Sequence, residues 1–171
     1  PFTLSAWINP RSTSGLHTIV SQVGGQLRAG DFAMRVYGGD PQGRLQIWRR
    51  PSDGSSAVDV VQSGLVVPKN TWSHVVAVYG STGGGALQVY VNGNPVGGDV
   101  YGSSYTPPRP RPDTDLTMMR VASSELGVDS FGSAFRRFPY DGSIDELMVF
   151  DRALTADEVL AMYQNFELYQ P

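Results

Sequence analysis

The sequence predicts an antiparallel β-sandwich of two sheets, closed by one short C-terminal helix. Short segments of alternating polar and apolar residues recur along the chain, turn-forming residues separate them, and a capped helical segment follows residue 154. The chain has 171 residues, of which 40% are hydrophobic and 17% charged, with 20 Gly and 12 Pro. This composition is typical of many short strands joined by turns. The length fits a single domain over residues 1–171 that buries its own core.

The strands follow from the alternation of apolar residues. In the first strand, Phe2, Leu4, Ala6 and Ile8 should share one face, because side chains alternate with a period of two. Further strands are predicted over residues 17–23, 32–37, 44–48, 58–67, 71–79, 87–91, 116–121 and 144–150.

The turn and helix signals are local. Asn92-Gly93 predicts a tight hairpin, because a type I′ turn requires positive φ at both central residues. Thr155 and Glu158 have the spacing of a capping box, in which each side chain satisfies an amide of the first helical turn. The apolar stripe of the predicted helix consists of Val159, Leu160, Met162 and Tyr163.

Composition and charge exclude several function classes. The net charge is −3 and no basic stripe is present, so nucleic acid is not an expected partner. No apolar run approaches the roughly 20 residues that cross a bilayer, so membrane insertion is not expected. The absence of cysteine excludes disulfides and thiolate chemistry. Neither a secretory signal nor an initiator methionine is present, so we expect a segment of a larger protein.

Four segments carry a resemblance to a known family. Residues 2–10 read FTLSAWINP, residues 71–79 TWSHVVAVY, residues 87–96 LQVYVNGNPV and residues 141–154 DGSIDELMVFDRAL. In this order they resemble the laminin-G-like branch of the concanavalin-A-like lectin/glucanase jelly rolls, which is also similar to pentraxins. The resemblance implies a jelly roll that binds sugars, binds proteins or spaces other domains.

The resemblance also implies roles for single residues. Trp7 and Trp72 match positions that pack in the core or brace its edge, and His74 matches a buried, hydrogen-bonding strand residue. Family domains usually begin with a further strand and an acidic turn ahead of the segment at Phe2. We therefore expect that the chain lacks its first strand.

The acids of the last strand do not have the spacing of a glycosidase. Asp145 and Glu146 are adjacent and should face opposite sides of a strand. The glucanase relatives use a Glu-x-Asp-x-Glu pattern, which no window of this chain supplies, so we expect no enzymatic activity. The resemblance implies a structural Ca²⁺ with Asp145 as the leading ligand and Asp141 as a weaker one. The alternative is that Asp145 accepts backbone amides as a structural acid.

A candidate sugar-binding face is centred on Trp48. If Leu45 and Ile47 face inward, Gln46 and Trp48 face outward, near Arg35 and Tyr37 of the preceding strand. An exposed indole beside a guanidinium can stack on a sugar ring and bind its hydroxyls. The alternative places Trp48 beneath a long loop.

Two long segments interrupt the strand pattern. Residues 97–115 contain alternating prolines, which favour an extended excursion without amides to pair. Residues 123–140 contain Arg136, Arg137 and Phe138, a basic aromatic group that suits an acidic polysaccharide or an acidic protein surface. Alternatively, both segments dock on a neighbouring domain or subunit.

These patterns leave three functions open, all at an extracellular or cell-surface location. The first is a non-catalytic recognition module that binds a glycan or an extracellular protein. The second is a structural module of a surface appendage, filament or adhesin, whose partners are neighbouring domains or subunits of the assembly. A glycoside hydrolase is the distant third.

Overall fold

The strands and the helix of the computed structural model agree closely with the pattern of the sequence. The structure describes residues 1–22, 31–38, 42–49, 57–80, 87–104, 119–123, 126–128, 134–136 and 138–167. In chain order the elements are β1 (Phe2–Pro10), β2 (Leu16–Gln22), β3 (Phe32–Tyr37), β4 (Arg44–Arg49), β5 (Ala57–Val66), β6 (Ser73–Tyr79), β7 (Leu87–Val91), β8 (Asn94–Pro95), β9 (Gly98–Ser104), β10 (Arg120–Val121), β11 (Leu126–Val128), β12 (Ala134–Arg136), β13 (Gly142–Phe150) and α1 (Ala156–Glu167).

Two antiparallel sheets form the sandwich. The five-stranded sheet has the order β13-β1-β6-β7-β8, and the six-stranded sheet has the order β10-β2-β3-β4-β5-β9. A separate hairpin pairs β11 with β12. The predicted class, an all-β sandwich with one short C-terminal helix, is confirmed over the described residues. That the domain lacks its first strand stays a prediction.

Two segments differ from the sequence-based expectation. The excursion predicted over residues 97–115 begins instead as the strand β9, which pairs with β5 at the edge of the six-stranded sheet. Residues 105–115 lie outside the described part of the chain. The strand predicted over residues 116–121 is confirmed only at β10, and residues 116–118 are likewise not described.

The core lies between the two sheets and contains the inward-facing side chains of both. Leu4, Ala6 and Ile8 of β1 are fully buried in it, as their alternation predicts. Tyr79 of β6 crosses the interface, where its hydroxyl donates to the carbonyl of Ala33 on the opposite sheet at 3.1 Å. The other buried core residues are Ile19, Val20, Phe32, Met34, Val36, Leu45, Ile47, Val61, Val67, Val75, Ala77, Val89, Val91 and Val96.

Helix α1 covers the outer face of the five-stranded sheet. Tyr163 of the helix stacks on Trp7 of β1, with ring centroids 5.8 Å apart, and on His74 of β6, at 6.2 Å. His74 is buried, and its Nε2 lies 2.8 Å from the hydroxyl of Ser5. Trp7 and His74 are therefore packed as the resemblance implies. The prediction that Trp72 packs in the core is wrong, because its side chain lies ahead of β6 and is 37% exposed.

The start of the helix has the predicted capping box. The amide of Thr155 donates to Glu158 at 2.9 Å, and the amide of Glu158 donates to the Thr155 hydroxyl at 3.3 Å. Arg152 adds an ion pair with Glu158 at 2.7 Å. Hydrogen bonding to Arg152 is the main cause that lowers the pKa of Glu158 to about 2. These contacts fix the corner at which the chain leaves β13 and turns back over the sheet.

Removing the capping hydroxyl should destabilise the domain moderately. Thr155→Ala is expected to lower the free energy of unfolding by about 1 kcal/mol, because the amide of Glu158 loses its acceptor. Thr155→Ser keeps the hydroxyl and should retain most of the stability. Urea denaturation of the three proteins measures the difference. Equal midpoints for Thr155→Ala and the wild type would show that the cap contributes nothing.

Stability should also fall in mild acid because of His74. Burial lowers the pKa of His74 from 6.5 to about 4, and its Nδ1 is buried without a hydrogen-bond partner. The folded state therefore resists protonation, so the stabilising effect is complete above about pH 6.5 and is lost as the pH falls toward 4. The expected loss is about 3 kcal/mol.

The measurement is urea denaturation between pH 4 and 7 for the wild type and two single variants. His74→Gln should remove this part of the pH dependence. The control His17→Gln keeps His74 and should retain it. Parallel pH profiles for the wild type and His74→Gln would contradict the assignment.

Candidate functional site

A row of polar side chains crosses the outer face of the six-stranded sheet. The strand register places Thr18 of β2 opposite Arg35 of β3, Arg35 opposite Gln46 of β4, and Gln46 opposite Gln62 of β5. These residues alternate with core-facing neighbours such as Val36 and Leu45, so their side chains belong to the face turned away from the core. We call these four residues, together with the flanking pairs Ala33–Trp48 and Tyr37–Arg44, the polar face.

Aromatic and basic residues flank the polar row on the same face. Trp48 lies opposite Ala33 on one side, and Tyr37 lies opposite Arg44 on the other. Both pairs are two residues along the strands from Arg35 and Gln46, so all of them share one face. The structure thus places Arg35, Tyr37 and Trp48 together, as the alternation predicts.

The exposure predicted for Trp48 is wrong. Its side chain is only 9% exposed, and the neighbouring Gln46 and Gln62 are buried as well. The outer face is therefore shielded at this point, which leaves no open indole surface for a sugar ring. The indole N–H of Trp48 is buried and has no hydrogen-bond partner. Indole nitrogens usually find an acceptor when buried, so a buried indole N–H without one is unusual.

Arg35 supplies the charge of the polar row. Its Nε donates to the side-chain oxygen of Gln46 at 2.5 Å, which orients the guanidinium on the face. Burial lowers the pKa of Arg35 to about 10, so the group remains cationic at neutral pH. A partly desolvated cation beside amide groups offers hydrogen-bond donors in a fixed arrangement.

The second predicted group reaches the edge of the same sheet. The carbonyl of Phe138 accepts the amide of Thr18 at 3.0 Å, so Phe138 lies directly beside β2. Its side chain is 37% exposed, and its φ of 50° is in the left-handed region. Arg136 ends β12, and Arg137 lies outside the described residues. One strand, β2, thus separates the backbone at Phe138 from Arg35. The roles of Arg136 and Arg137 in binding stay predictions.

The acids selected from the sequence lie on the other sheet, at its edge strand β13. Asp141 forms an ion pair with Arg11 at 3.0 Å. Asp145 accepts the amide of Glu146 at 2.9 Å, within a bulge where Glu146 has a φ of 48° and two residues of β13 oppose Ala6. The regular alternation assumed for this pair is therefore wrong.

These acids provide a poor set of ligands for calcium within the described residues. No group of three or more histidine and acidic residues that could hold a metal occurs there. Ca²⁺ takes six to eight oxygen ligands, whereas Asp141 is already engaged by Arg11. Calcium at Asp145 stays a prediction, and no role in the function proposed below depends on it.

An open groove lies between β13 and α1. It has a volume of about 650 Å³ and is lined by apolar side chains such as Met148, Phe150 and Met162, with Glu146 and Arg152 among the polar ones. β13 is the edge strand of its sheet. The groove is on the opposite side of the sandwich from the polar face.

Sequence reasoning placed Gln46 on the outer face beside Trp48, and it missed Gln62 and Thr18. Gln46 follows from its alternation with Leu45 and Ile47, which places it on the face of Trp48. Gln62 sits in a nearly continuous apolar stretch, and only the pairing of β5 with β4 shows that it joins the row. Thr18 depends on the register across the bulge in β2.

Comparison with known proteins agrees with the fold. A laminin G model described as the concanavalin A-like lectin/glucanases superfamily matches residues 1–160. The chain belongs to this superfamily. No curated protein matches its sequence. No helix in the described part of the chain is long and apolar enough to cross a membrane.

Several solved structures share the superfamily fold at low identity. The carbohydrate-binding module CBM40 of the Ruminococcus gnavus IT-sialidase, bound to α2,3-sialyllactose, has a TM-score of 0.65 at 15% identity, with 95% of this chain and 82% of that chain covered. The heptameric SAP-like pentraxin of Limulus polyphemus has a TM-score of 0.59 at 20% identity, with 95% and 69% covered.

A domain of a glycoside hydrolase has the same fold. Domain 4 of AbnA, an extracellular GH43 arabinanase of Geobacillus stearothermophilus, in complex with arabinotriose, has a TM-score of 0.56 at 18% identity. The match covers 95% of this chain and 66% of that one. At these identities the likeness shows the fold alone. Two of the three neighbours are nevertheless structures with bound sugars.

Proposed function

We propose that the domain is a non-catalytic carbohydrate-binding module whose binding surface is the polar face of the six-stranded sheet. The observation that carries this proposal is that Arg35 and Tyr37, both half-buried, lie together on this face, and that the buried Gln46 orients Arg35. Sugars present hydroxyls that need planar polar partners and C–H faces that pack on aromatic rings. On the polar face, the half-buried guanidinium of Arg35 is the polar partner and the half-buried ring of Tyr37 is the aromatic one.

The rigidity of the surface favours recognition. The side chains lie on central strands of the sheet rather than on loops, and Arg35 is oriented by Gln46. Sites held by strands lose little conformational entropy when a ligand binds. The bound sugars in the CBM40 and AbnA structures support a glycan as the ligand class for this fold.

A binding role fits the chain better than catalysis. No Glu-x-Asp-x-Glu pattern is present in the sequence. Asp145 lies in β13 of the opposite sheet from the polar face, and Asp141 directly precedes that strand. A module of this kind acts by holding a larger protein on its glycan, so we place that protein outside the cell or at its surface.

A glycan array followed by calorimetry tests this function. Truncating Tyr37 removes a half-buried aromatic ring from the polar face and is expected to weaken binding about tenfold. The matched control is Trp72→Ala, which removes an aromatic side chain away from the polar face and should leave the affinity unchanged. A wild-type protein that binds no glycan, or equal losses in both variants, would contradict the proposal.

A second candidate function, an assembly module, is favoured by the edge strand β13. Within the described residues, its outer edge pairs with no strand, and Val149 on it is 53% exposed. Exposed edges with apolar side chains readily accept a further strand. In this case a strand of a second copy of the chain would pair with the outer edge of β13.

Light scattering after size-exclusion chromatography tests the assembly function. If β13 mediates it, the wild type self-associates as concentration rises, and Val149→Lys remains monomeric. The control Leu65→Lys changes a residue of β5 that is 56% exposed on the other sheet and should still associate. A wild-type monomer at all concentrations would overturn the assembly function.

A further inference from the structure

Within the described part of the chain, Arg35 is a partly buried cation without a counter-ion. No carboxylate among the described residues lies within ion-pair distance of its guanidinium, since the ion pairs found there join Arg11 to Asp141 and Arg152 to Glu158. Its side-chain hydrogen bond is the one from Nε to Gln46. The two terminal NH₂ groups of the fork therefore have no acceptor within the described protein.

An uncompensated cation at this depth costs free energy in the unliganded protein. Removing a charge from water is unfavourable unless an opposite charge or a full set of hydrogen bonds replaces the hydration. Desolvation by burial is the main cause that lowers the pKa of Arg35, and the opposing influence of Tyr37 and Tyr79 does not offset it. An anion that binds here would relieve this cost, which makes the position selective for negative charge.

The donors around Arg35 suit a carboxylate. Gln46 holds Nε, so the edge of the guanidinium that carries the terminal NH₂ groups is left for two parallel bonds to a planar two-oxygen acceptor. The buried indole N–H of Trp48, on a residue diagonal to Arg35 at roughly 7 Å between Cα atoms, adds a further donor without a partner.

We propose that Arg35 makes this face specific for acidic sugars by binding their carboxylate with its terminal NH₂ groups. The inference rests on the proposed carbohydrate-binding function and names the class of glycan. Uronic acids and sialic acids both carry such a carboxylate next to a sugar ring.

Matched acidic and neutral probes test the inference by isothermal calorimetry. The uronic acid pair is trigalacturonic acid and its methyl ester, and the sialic acid pair is sialyllactose and lactose. Sulfated lactose provides an anion of different shape. The wild type should bind at least one acidic probe at least tenfold more tightly than its neutral counterpart.

Variants assign that preference to Arg35. Arg35→Met should abolish the difference between acidic and neutral probes, and Arg35→Lys should retain part of it, because the charge remains and the fork is lost. The control Arg11→Met removes an exposed positive charge away from the polar face and should keep the full preference. Thermal melting verifies that each variant is folded. If Arg35→Met does not fold, the comparison of the wild type with Arg35→Lys tests the role of Arg35.

The outcomes separate this inference from the proposed function. Equal affinity of the wild type for acidic and neutral sugars, or a preference that survives in Arg35→Met, would overturn the role of Arg35 but leave a carbohydrate-binding module. Tighter binding of sulfated lactose than of both carboxylates would overturn the carboxylate assignment. Failure to bind any of these sugars and any glycan of the array would overturn both.

Discussion

The apolar interface between the two sheets is the interaction on which the other features of the domain depend. Leu4 and Ile8 from one sheet and Met34 and Ile47 from the other are fully buried in a single cluster. Tyr79 joins the sheets through both its ring and its hydroxyl, and burial raises its pKa above the ordinary value for tyrosine. Because side chains alternate along each strand, committing one face to this core leaves the other face free to specialise.

The outer faces of the two sheets differ in chemical character. On the five-stranded sheet, Trp7 and His74 form a surface that requires a cover, and Tyr163 on the helix provides it through stacked rings. On the six-stranded sheet, Arg35 and Gln46 form a hydrogen-bonded polar row instead. An apolar face must be buried for the domain to be stable, whereas a polar face can hold hydrogen-bonding groups ready for a ligand. The carbohydrate-binding proposal follows from this asymmetry.

Much of the fold could be predicted from the sequence because its signals are local. The alternation in β1 and the capping box at Thr155 each depend on a few consecutive residues, and the structure confirms both. The bulge at Glu146 could not be predicted, because a positive φ in a non-glycine residue is set by pairing with β1. For the site, alternation placed Trp48 on the correct face, but its burial depends on tertiary packing. That Gln62 belongs to the polar row depends on the register between strands that are distant in the sequence.

The measurement that tests the central claim most directly is a ¹H–¹⁵N spectrum of the tryptophan indole groups during titration with trigalacturonic acid, or with the tightest sugar of the array if that probe does not bind. The chain has three tryptophans, of which Trp48 alone lies on the polar face. The account predicts that the Trp48 indole signal shifts with saturation, because Trp48 lies on the polar face diagonal to Arg35, while the signal of Trp72 stays in place. Binding that shifts Trp7 or Trp72 and leaves Trp48 unchanged would place the sugar elsewhere and contradict the account.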